Sequence, residues 1–476
     1  MKLIPACVCV AAFALAIFLP ESTGPRRPDL HVTDGRAAPR PCPADFAHVV
    51  LPDRSRVHLL AFFDDLSYAA ADGGPVGCAV LLALFTLLGL IVSLWTAGIR
   101  TSLRRLFLGL ALIAPFCLGM VHNSCFLPGR AIVLSAKAAT DWVPASLHTQ
   151  THYTTGLLSP ADLVNWHFSR GIRVLNVSDR DTIEGGVRAL AAVRKRRLSA
   201  GRLLVLVGEE YHGRPDIVLI NVRRDWKPDN DRADERRLEV IQGVHDEGGA
   251  LFVAHPWSKQ GPPLDELLGG GTDGIDGVEV VNGVILGGMP VIEAARYHNR
   301  AVVGSLDYKF GPHVNALTLL PARFATNESI FPLTPESVVK AFRAGHTRIL
   351  YAIPGGDMTG AAWDSQPHWF VGAIDALQSL YAAPRPRRFI WFGWIVFGTV
   401  AWWLGTRGGE PPDKPGLWRA IFIVCVAVML MSFGTLSWQI REIVVIPVNF
   451  VLLFCAVVAV PLIASSHNLA LAEQHE

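Results

Sequence analysis

Apolar positions are distributed along this chain in two different ways. Toward both ends they run together without charge. Val76–Ile99, Leu106–Val121, Phe389–Gly405, Ala420–Trp438 and Ile443–Ala464 contain no acidic or basic residue. Each is about long enough to cross a ~30 Å hydrocarbon core as a helix. Between residues 144 and 354 the pattern changes to short apolar runs separated by amphipathic stretches. The runs Arg173–Val177, Leu203–Val207, Ile217–Val222, Ala250–Ala254, Gly277–Val281 and Ala301–Gly304 have strand length. Helical spacing lies between them, at Ser159–Arg170, Gly185–Arg197, Arg232–Glu247, Pro290–Asn299 and Thr334–Ala344. Ser159-Pro160 is a good helix start, a capping hydroxyl followed by proline at the first helical position.

Alternation of strand and helix over some 210 residues predicts α/β architecture, and periodicity alone leaves a closed barrel and an open doubly wound sheet equally available. Polar residues able to do chemistry follow the ends of successive runs: Asp179 and Arg180, Glu209 and Glu210, His255, then Asp307 and Lys309. In β/α barrels the C-terminal strand ends form one rim, so residues dispersed in sequence would converge there.

Composition reinforces the reading of the flanks. The chain of 476 residues is 51% hydrophobic, with a mean hydropathy of +0.33. A net charge of +2 implies no nucleic-acid partner. Trp391, Trp394, Trp402, Trp403, Trp418 and Trp438 lie near the ends of the charge-free runs, where amphipathic rings favour a membrane interface. The expectation is therefore a multipass integral membrane protein in contact with a lipid bilayer. Residues 1–20 would be a signal anchor, or a signal peptide, around the apolar run Leu3–Leu19. Residues 21–75 would form a small extracytoplasmic segment, and five further spans would cover 76–99, 106–121, 389–405, 420–438 and 443–464. Arg100, Arg104 and Arg105, with Arg407, Lys414 and Arg419, favour cytoplasmic loops; this places the middle domain outside, against the contrary pull of Arg385, Arg387 and Arg388. Cys42 and Cys125 would then share a face and could pair as a disulfide.

The middle region also carries motifs. Leu147-His148-Thr149-Gln150-Thr151-His152 is followed by Val177-Ser178-Asp179-Arg180-Asp181-Thr182. His255-Pro256 and Asp307-Tyr308-Lys309 come later, with Gly277-Val278-Glu279-Val280-Val281-Asn282 between them. This series resembles the PHP (polymerase and histidinol phosphatase) family of metal-dependent phosphoesterases over about Pro144 to Pro354. The resemblance implies a distorted β/α barrel, here inserted between transmembrane helices. It also implies a metal site, with His148, Glu210, His255 and Asp307 at ligand positions.

The departures from that pattern bear on function. Gln150 stands where the family has the second histidine of its first motif, Thr155 where it has an aspartate, Arg180 where it has a histidine, and Lys309 where the last motif ends in histidine. No histidine appears in Asp216–Asn221, where a further one is expected. About four of nine ligands survive, enough for one divalent metal (manganese, iron or zinc) or for none. His152 and His313 are possible substitutes. Gln150, Asp179, Arg180 and Lys309 would then bind an anionic, phosphate-bearing ligand or a partner, the cations standing where metal charge is lost. The two readings are a non-catalytic binding domain and a phosphoesterase working with a single metal. The charge-free spans argue against a transporter, since they hold no ionisable group to mark an ion path.

Overall fold

The structure is a computed structural model that describes residues 29–34, 39–51, 64–68, 123–196, 203–227, 236–257, 262–269, 274–283, 285–322, 333–352, 387 and 390. In chain order the elements are β1 (His31–Thr33), β2 (Arg40–Pro41), β3 (Ala47–Val50), β4 (Ala131–Leu134), α1 (Ala136–Asp141), β5 (Trp142–Ser146), α2 (Pro160–Ser169), β6 (Val174–Arg180), α3 (Glu184–Arg196), β7 (Leu204–Tyr211), β8 (Ile217–Ile220), α4 (Arg237–Asp246), β9 (Ala250–Val253), α5 (Leu264–Leu268), β10 (Gly277–Asn282), β11 (Ile285–Leu286), α6 (Gly288–Tyr297), β12 (Ala301–Ser305), β13 (Ala316–Pro321), α7 (Pro335–Arg343) and β14 (Arg348–Tyr351).

All six strands and all five helices expected in the middle region form close to the expected limits. Their starts have local causes. Ser159 accepts the Asp162 amide at the head of α2, with Pro160 in the first turn. Thr334 and Ser337 cap each other reciprocally at the head of α7.

Twelve of the described strands make one mixed sheet in the order β11-β10-β9-β8-β7-β6-β5-β13-β14-β1-β2, with β12 paired to β10. The pairs β5–β6, β6–β7, β9–β10 and β10–β12 are parallel, whereas β8, β13 and β14 pair antiparallel to their neighbours. One face encloses a cluster that includes Val143, Leu147, Val174, Leu206, Val218, Phe252 and Val303, covered by Phe342 of α7. The other face packs against α4, α5 and α6 through Leu219, Leu251 and Val278, and against α2 and α3 through Leu175 and Val177. A sheet that surrounds one cluster and is itself covered by helices reads as runs of apolar residues without alternation, which is why its strands were visible in the sequence.

The far side of β12 is joined to β13 and β14 by side chains. Thr318 Oγ1 accepts the Gly304 amide (3.1 Å) and donates to the Gly304 carbonyl (2.9 Å). Thr347 Oγ1 treats Val302 in the same way, at 2.9 and 2.8 Å. Two buried hydroxyls thus satisfy backbone groups that a neighbouring strand would otherwise pair.

Several expectations are corrected. The fold class, a barrel set between transmembrane helices, gives way to an α/β fold with a large mixed sheet. Among the described residues no helix is long and apolar enough to cross a membrane. The longest described helix, α3, has 13 residues, a length of about 20 Å against a core of about 30 Å. The multipass architecture, the bilayer as partner and the membrane localisation are accordingly not carried forward. The runs 3–19, 76–99, 106–121, 389–405, 420–438 and 443–464 on which they rested lie outside the described residues, Ile390 excepted. Arg387, expected to flank a span, is buried in ion pairs with Asp65 (3.1 Å) and Asp64 (3.5 Å). Cys42 and Cys125 are not bonded to each other, so the expected disulfide is absent. Cys125 packs in the apolar cluster and takes a weak hydrogen bond from the Gly311 amide.

Candidate metal centre

The strand ends of β5, β7, β9 and β12 meet over the central cluster, and each delivers one of the four expected ligands. His148 follows β5, Glu210 lies at the end of β7, His255 follows β9 and Asp307 follows β12. His148 is fully buried. Its Nε2 lies 3.7 Å from Glu210 Oε2 and 3.5 Å from Asp307 Oδ1, and its ring is 5.7 Å from that of His255. His255 Nε2 is 3.2 Å from Glu210 Oε1 and 3.9 Å from Asp216 Oδ2. Two strained residues hold the rim, His255 at φ +29° and Asp307 at φ +40°. Non-glycine residues in this left-handed region cost stability and concentrate at functional sites.

Charge explains the titration of this cluster. Burial would disfavour an imidazolium at His148, but Asp307, Glu279 and Glu210 surround it and push it well above the usual histidine range. His255 is raised in the same way, with Glu210 outweighing burial. Glu210 is the converse case: burial would raise it, yet the two histidines and Arg180 hold it far below the usual carboxylate range. Asp307 is likewise lowered against burial by His148 and Lys309. A cation belongs among these groups, and protons supply that charge where a metal does not.

Two groups of donors could hold an ion. His148, His255 and Asp307 offer ligand atoms within 4.8 Å of one another, and so do Glu210, Asp216 and His255. The fit is supported by His148 Nε2, a buried nitrogen without a hydrogen-bond partner. Buried polar atoms are nearly always satisfied, and nitrogen and oxygen donors of this kind suit manganese, iron or zinc.

The substituted positions behave differently. Gln150 is buried and donates from Nε2 to Glu210 Oε2 (2.7 Å) and Asp307 Oδ1 (3.3 Å). Its Oε1 accepts from Thr155. The amide therefore lies between two carboxylates and is satisfied at both ends. Arg180 Nε lies 3.5 Å from Glu210 Oε2 with its side chain 33% exposed, and Lys309 Nζ lies 3.0 Å from Asp307 Oδ2 with its side chain 35% exposed. Both cations thus reach the acidic cluster from the solvent side. Asp179 does not join it. Its carboxylate takes the Thr151 amide (2.7 Å) and the hydroxyls of Thr151 (2.7 Å) and Thr154 (2.8 Å), and a methyl at Gly185 on α3 would overlap it. Of the possible substitute histidines, His152 is exposed and packs on Tyr153. His313 accepts the Arg130 amide, away from the cluster.

Two residues of the site went unrecognised as such in the sequence. Asp216 lies just before β8, where the family pattern has a histidine, and a carboxylate there carries no signal in that pattern. Glu279 was seen within a motif on β10, but its contact with His148 (Nδ1 to Oε1, 3.3 Å) depends on the packing of β10 beside β12. The adjacent Glu209 faces away from the cluster, where it accepts the Trp226 amide (2.7 Å). Burial pushes its carboxyl up to about 8.

No family model and no curated protein matches this chain. Among solved structures it is similar to a two-domain protein from Bacteroides vulgatus described as containing a PHP-like metal-dependent phosphoesterase, with 14% identity and a TM-score of 0.35. That match covers 44% of this chain and 64% of the other. A protein from Bifidobacterium adolescentis described as a metal-dependent phosphoesterase gives 16% identity and a TM-score of 0.29, over 42% of this chain and 96% of the other. An amidohydrolase from Chromobacterium violaceum, with bound sulfate and no metal, gives 17% and 0.26 over 35% and 87%. At this level of likeness, the chemistry of the site is read from its own side chains.

Proposed function

We propose that this domain binds one divalent cation through His148, Glu210, His255 and Asp307, and that Arg180 and Lys309 draw an anionic, phosphate-bearing ligand to it without hydrolysis. The observation that carries the reading is His148 Nε2, buried without a hydrogen-bond partner and facing two carboxylates at 3.5 and 3.7 Å. An ion bound there would act as a Lewis acid toward a ligand oxygen. Arg180 and Lys309, each about one third exposed, would meet the remaining oxygens from the solvent side.

Binding rather than turnover is favoured by the state of the donors that a second ion would need. Clamping both the attacking and the leaving oxygen of a phosphoryl displacement takes a pair of metals about 4 Å apart. The donors for a partner ion are engaged elsewhere: the Gln150 amide is satisfied at both ends, and the Asp179 carboxylate is held by Thr151 and Thr154. A second reading, a phosphoester hydrolase with a single metal, is favoured by Asp216, which joins Glu210 and His255 as a third donor.

The test is the metal content of the purified full chain after supplementation with manganese, iron or zinc, together with turnover of a nitrophenyl phosphate monoester and diester. The expected result is one ion per chain, lost in His148→Ala, with no turnover. Turnover that disappears in His148→Ala would favour the second reading, and absence of metal under all three conditions would refute both.

A further inference from the structure

Glu279 touches three of the four segments that carry the ligands, and a bulge in its own strand adds Asn282 to its partners. Along β10, Val278, Val280 and Val281 all join the outer apolar cluster. Between Glu279 and Val281 the register against β12 shifts. In a regular strand Glu279 and Asn282, three residues apart, would face opposite sides of the sheet. The bulge turns both to the same side, and Asn282 Nδ2 donates to Glu279 Oε2 at 2.9 Å. Bulges of this kind re-aim side chains beside functional sites.

The carboxylate is then fully engaged. Oε1 faces His148 Nδ1 (3.3 Å) and accepts the Ser305 hydroxyl. Oε2 accepts the backbone amide of His255 (2.7 Å) as well as Asn282. His148 follows β5, His255 follows β9 in a left-handed conformation, and Ser305 lies two residues before Asp307, which is also left-handed.

We infer that Glu279 is a positioning residue for the metal centre. It fixes the His148 ring with Nδ1–H turned inward and Nε2 presented to the cation, and ties the His255 and Asp307 turns to the same carboxylate. Partners that orient a ligating histidine through its other nitrogen change metal affinity about 10- to 100-fold when removed. The inference rests on the single-cation reading for its effect on affinity, whereas the fixing of the ring does not depend on any ion.

The experiment uses the full chain as wild type, Glu279→Gln and Ser305→Ala, with two readouts. In metal-free protein labelled with ¹⁵N-histidine, the Nδ1 proton of His148 should give a slowly exchanging, downfield signal in the wild type. It should be lost or exchange rapidly in Glu279→Gln, whose amide cannot accept from both His148 and the His255 backbone. Calorimetric titration with manganese(II) or zinc(II) should give about 10- to 100-fold weaker binding for Glu279→Gln, with a smaller loss for Ser305→Ala. Should Glu279→Gln fail to fold, the Ser305→Ala spectrum decides, because that variant removes one support and leaves the carboxylate. A wild-type signal without metal uptake refutes the single-cation reading and leaves Glu279 in its place. A wild type without the protected proton, or variants with wild-type signal and affinity, overturns the inference.

Discussion

Gln150→Glu replaces one side-chain nitrogen by oxygen at a point where the local charge decides its sign. In the native arrangement Gln150 Nε2 lies 2.7 Å from Glu210 Oε2 and 3.3 Å from Asp307 Oδ1. A carboxylate oxygen in the same place would repel the first by about 6 kcal/mol and the second by about 5 kcal/mol at an effective dielectric of 20. Protonation relieves the repulsion first. Holding the introduced carboxyl protonated at pH 7, from an ordinary pKa of about 4.3, costs roughly 1.36 × 2.7, or about 4 kcal/mol. A protonated carboxyl donates one hydrogen bond where the amide donated two, a further loss of about 1 kcal/mol. The metal-free variant should therefore lose about 4–5 kcal/mol, which for a domain of some 200 residues lowers Tm by roughly 10–20 °C. A divalent cation reverses the argument, since the new oxygen becomes a ligand and its charge is compensated. Scanning calorimetry of wild type and variant, in chelator and in saturating manganese(II), should give a large drop in the first condition and a much smaller drop, or a gain, in the second. Equal drops in both would mean that no ion sits among these carboxylates. No drop in chelator would mean that the amide does not lie between Glu210 and Asp307.

His167 is buried, its Nδ1 bonded to the Leu163 carbonyl and its Nε2 without a partner, and burial brings its pKa down to about 3. The unfolded chain, with a histidine pKa of about 6.5, binds the extra proton first. Stability from this residue is thus complete above pH 6.5 and lost as pH falls toward 3, by about 3 kcal/mol at pH 4.5. Urea titrations at pH 7 and 4.5 should show a smaller difference for His167→Phe than for wild type, and an unchanged difference would refute this account. Thr318→Val leaves the amide and carbonyl of Gly304 buried without partners; it should lower unfolding free energy by about 2–4 kcal/mol in urea, and a loss below 1 kcal/mol would mean that water or backbone replaces the hydroxyl. Arg180→Ala should lower unfolding free energy by no more than about 1 kcal/mol, because the guanidinium is one third exposed and screened. The same variant should weaken binding of inorganic phosphate by about 10-fold by isothermal calorimetry, and unchanged phosphate affinity would remove Arg180 from the ligand site.

The sequence by itself determined the middle domain's class and most of its elements. Strands buried on both faces, such as Ile217–Ile220 and Ala250–Val253, are apolar throughout, and α2 and α7 begin at caps that act over three residues. Such signals are local and survive without tertiary knowledge. Strands that went unseen include β5, β13 and β14: β13 follows β12 with no helix between and pairs antiparallel with both β5 and β14, and β5 and β13 each contain a proline. Strand–helix alternation, the feature followed in the sequence, is silent there. The charge-free runs were over-read in one respect: they led to a membrane architecture that no helix among the described residues bears out.

For the site, Glu210, His255 and Asp307 follow strands that the apolar pattern had placed, whereas His148 and Gln150 were marked by the resemblance of their motif. Their individual behaviour was decided by tertiary structure alone. Asp179 and Arg180 are neighbours in the chain, yet successive side chains at a strand end point apart. One carboxylate is consequently fixed by threonines, while the guanidinium reaches Glu210. Glu279 meets His148 across 131 residues of chain, and a bulge beside it brings Asn282 to the same carboxylate. A sequence carries residue types and local geometry; which side chain faces which, and hence where charge must be compensated, arises only when the strand ends are brought together.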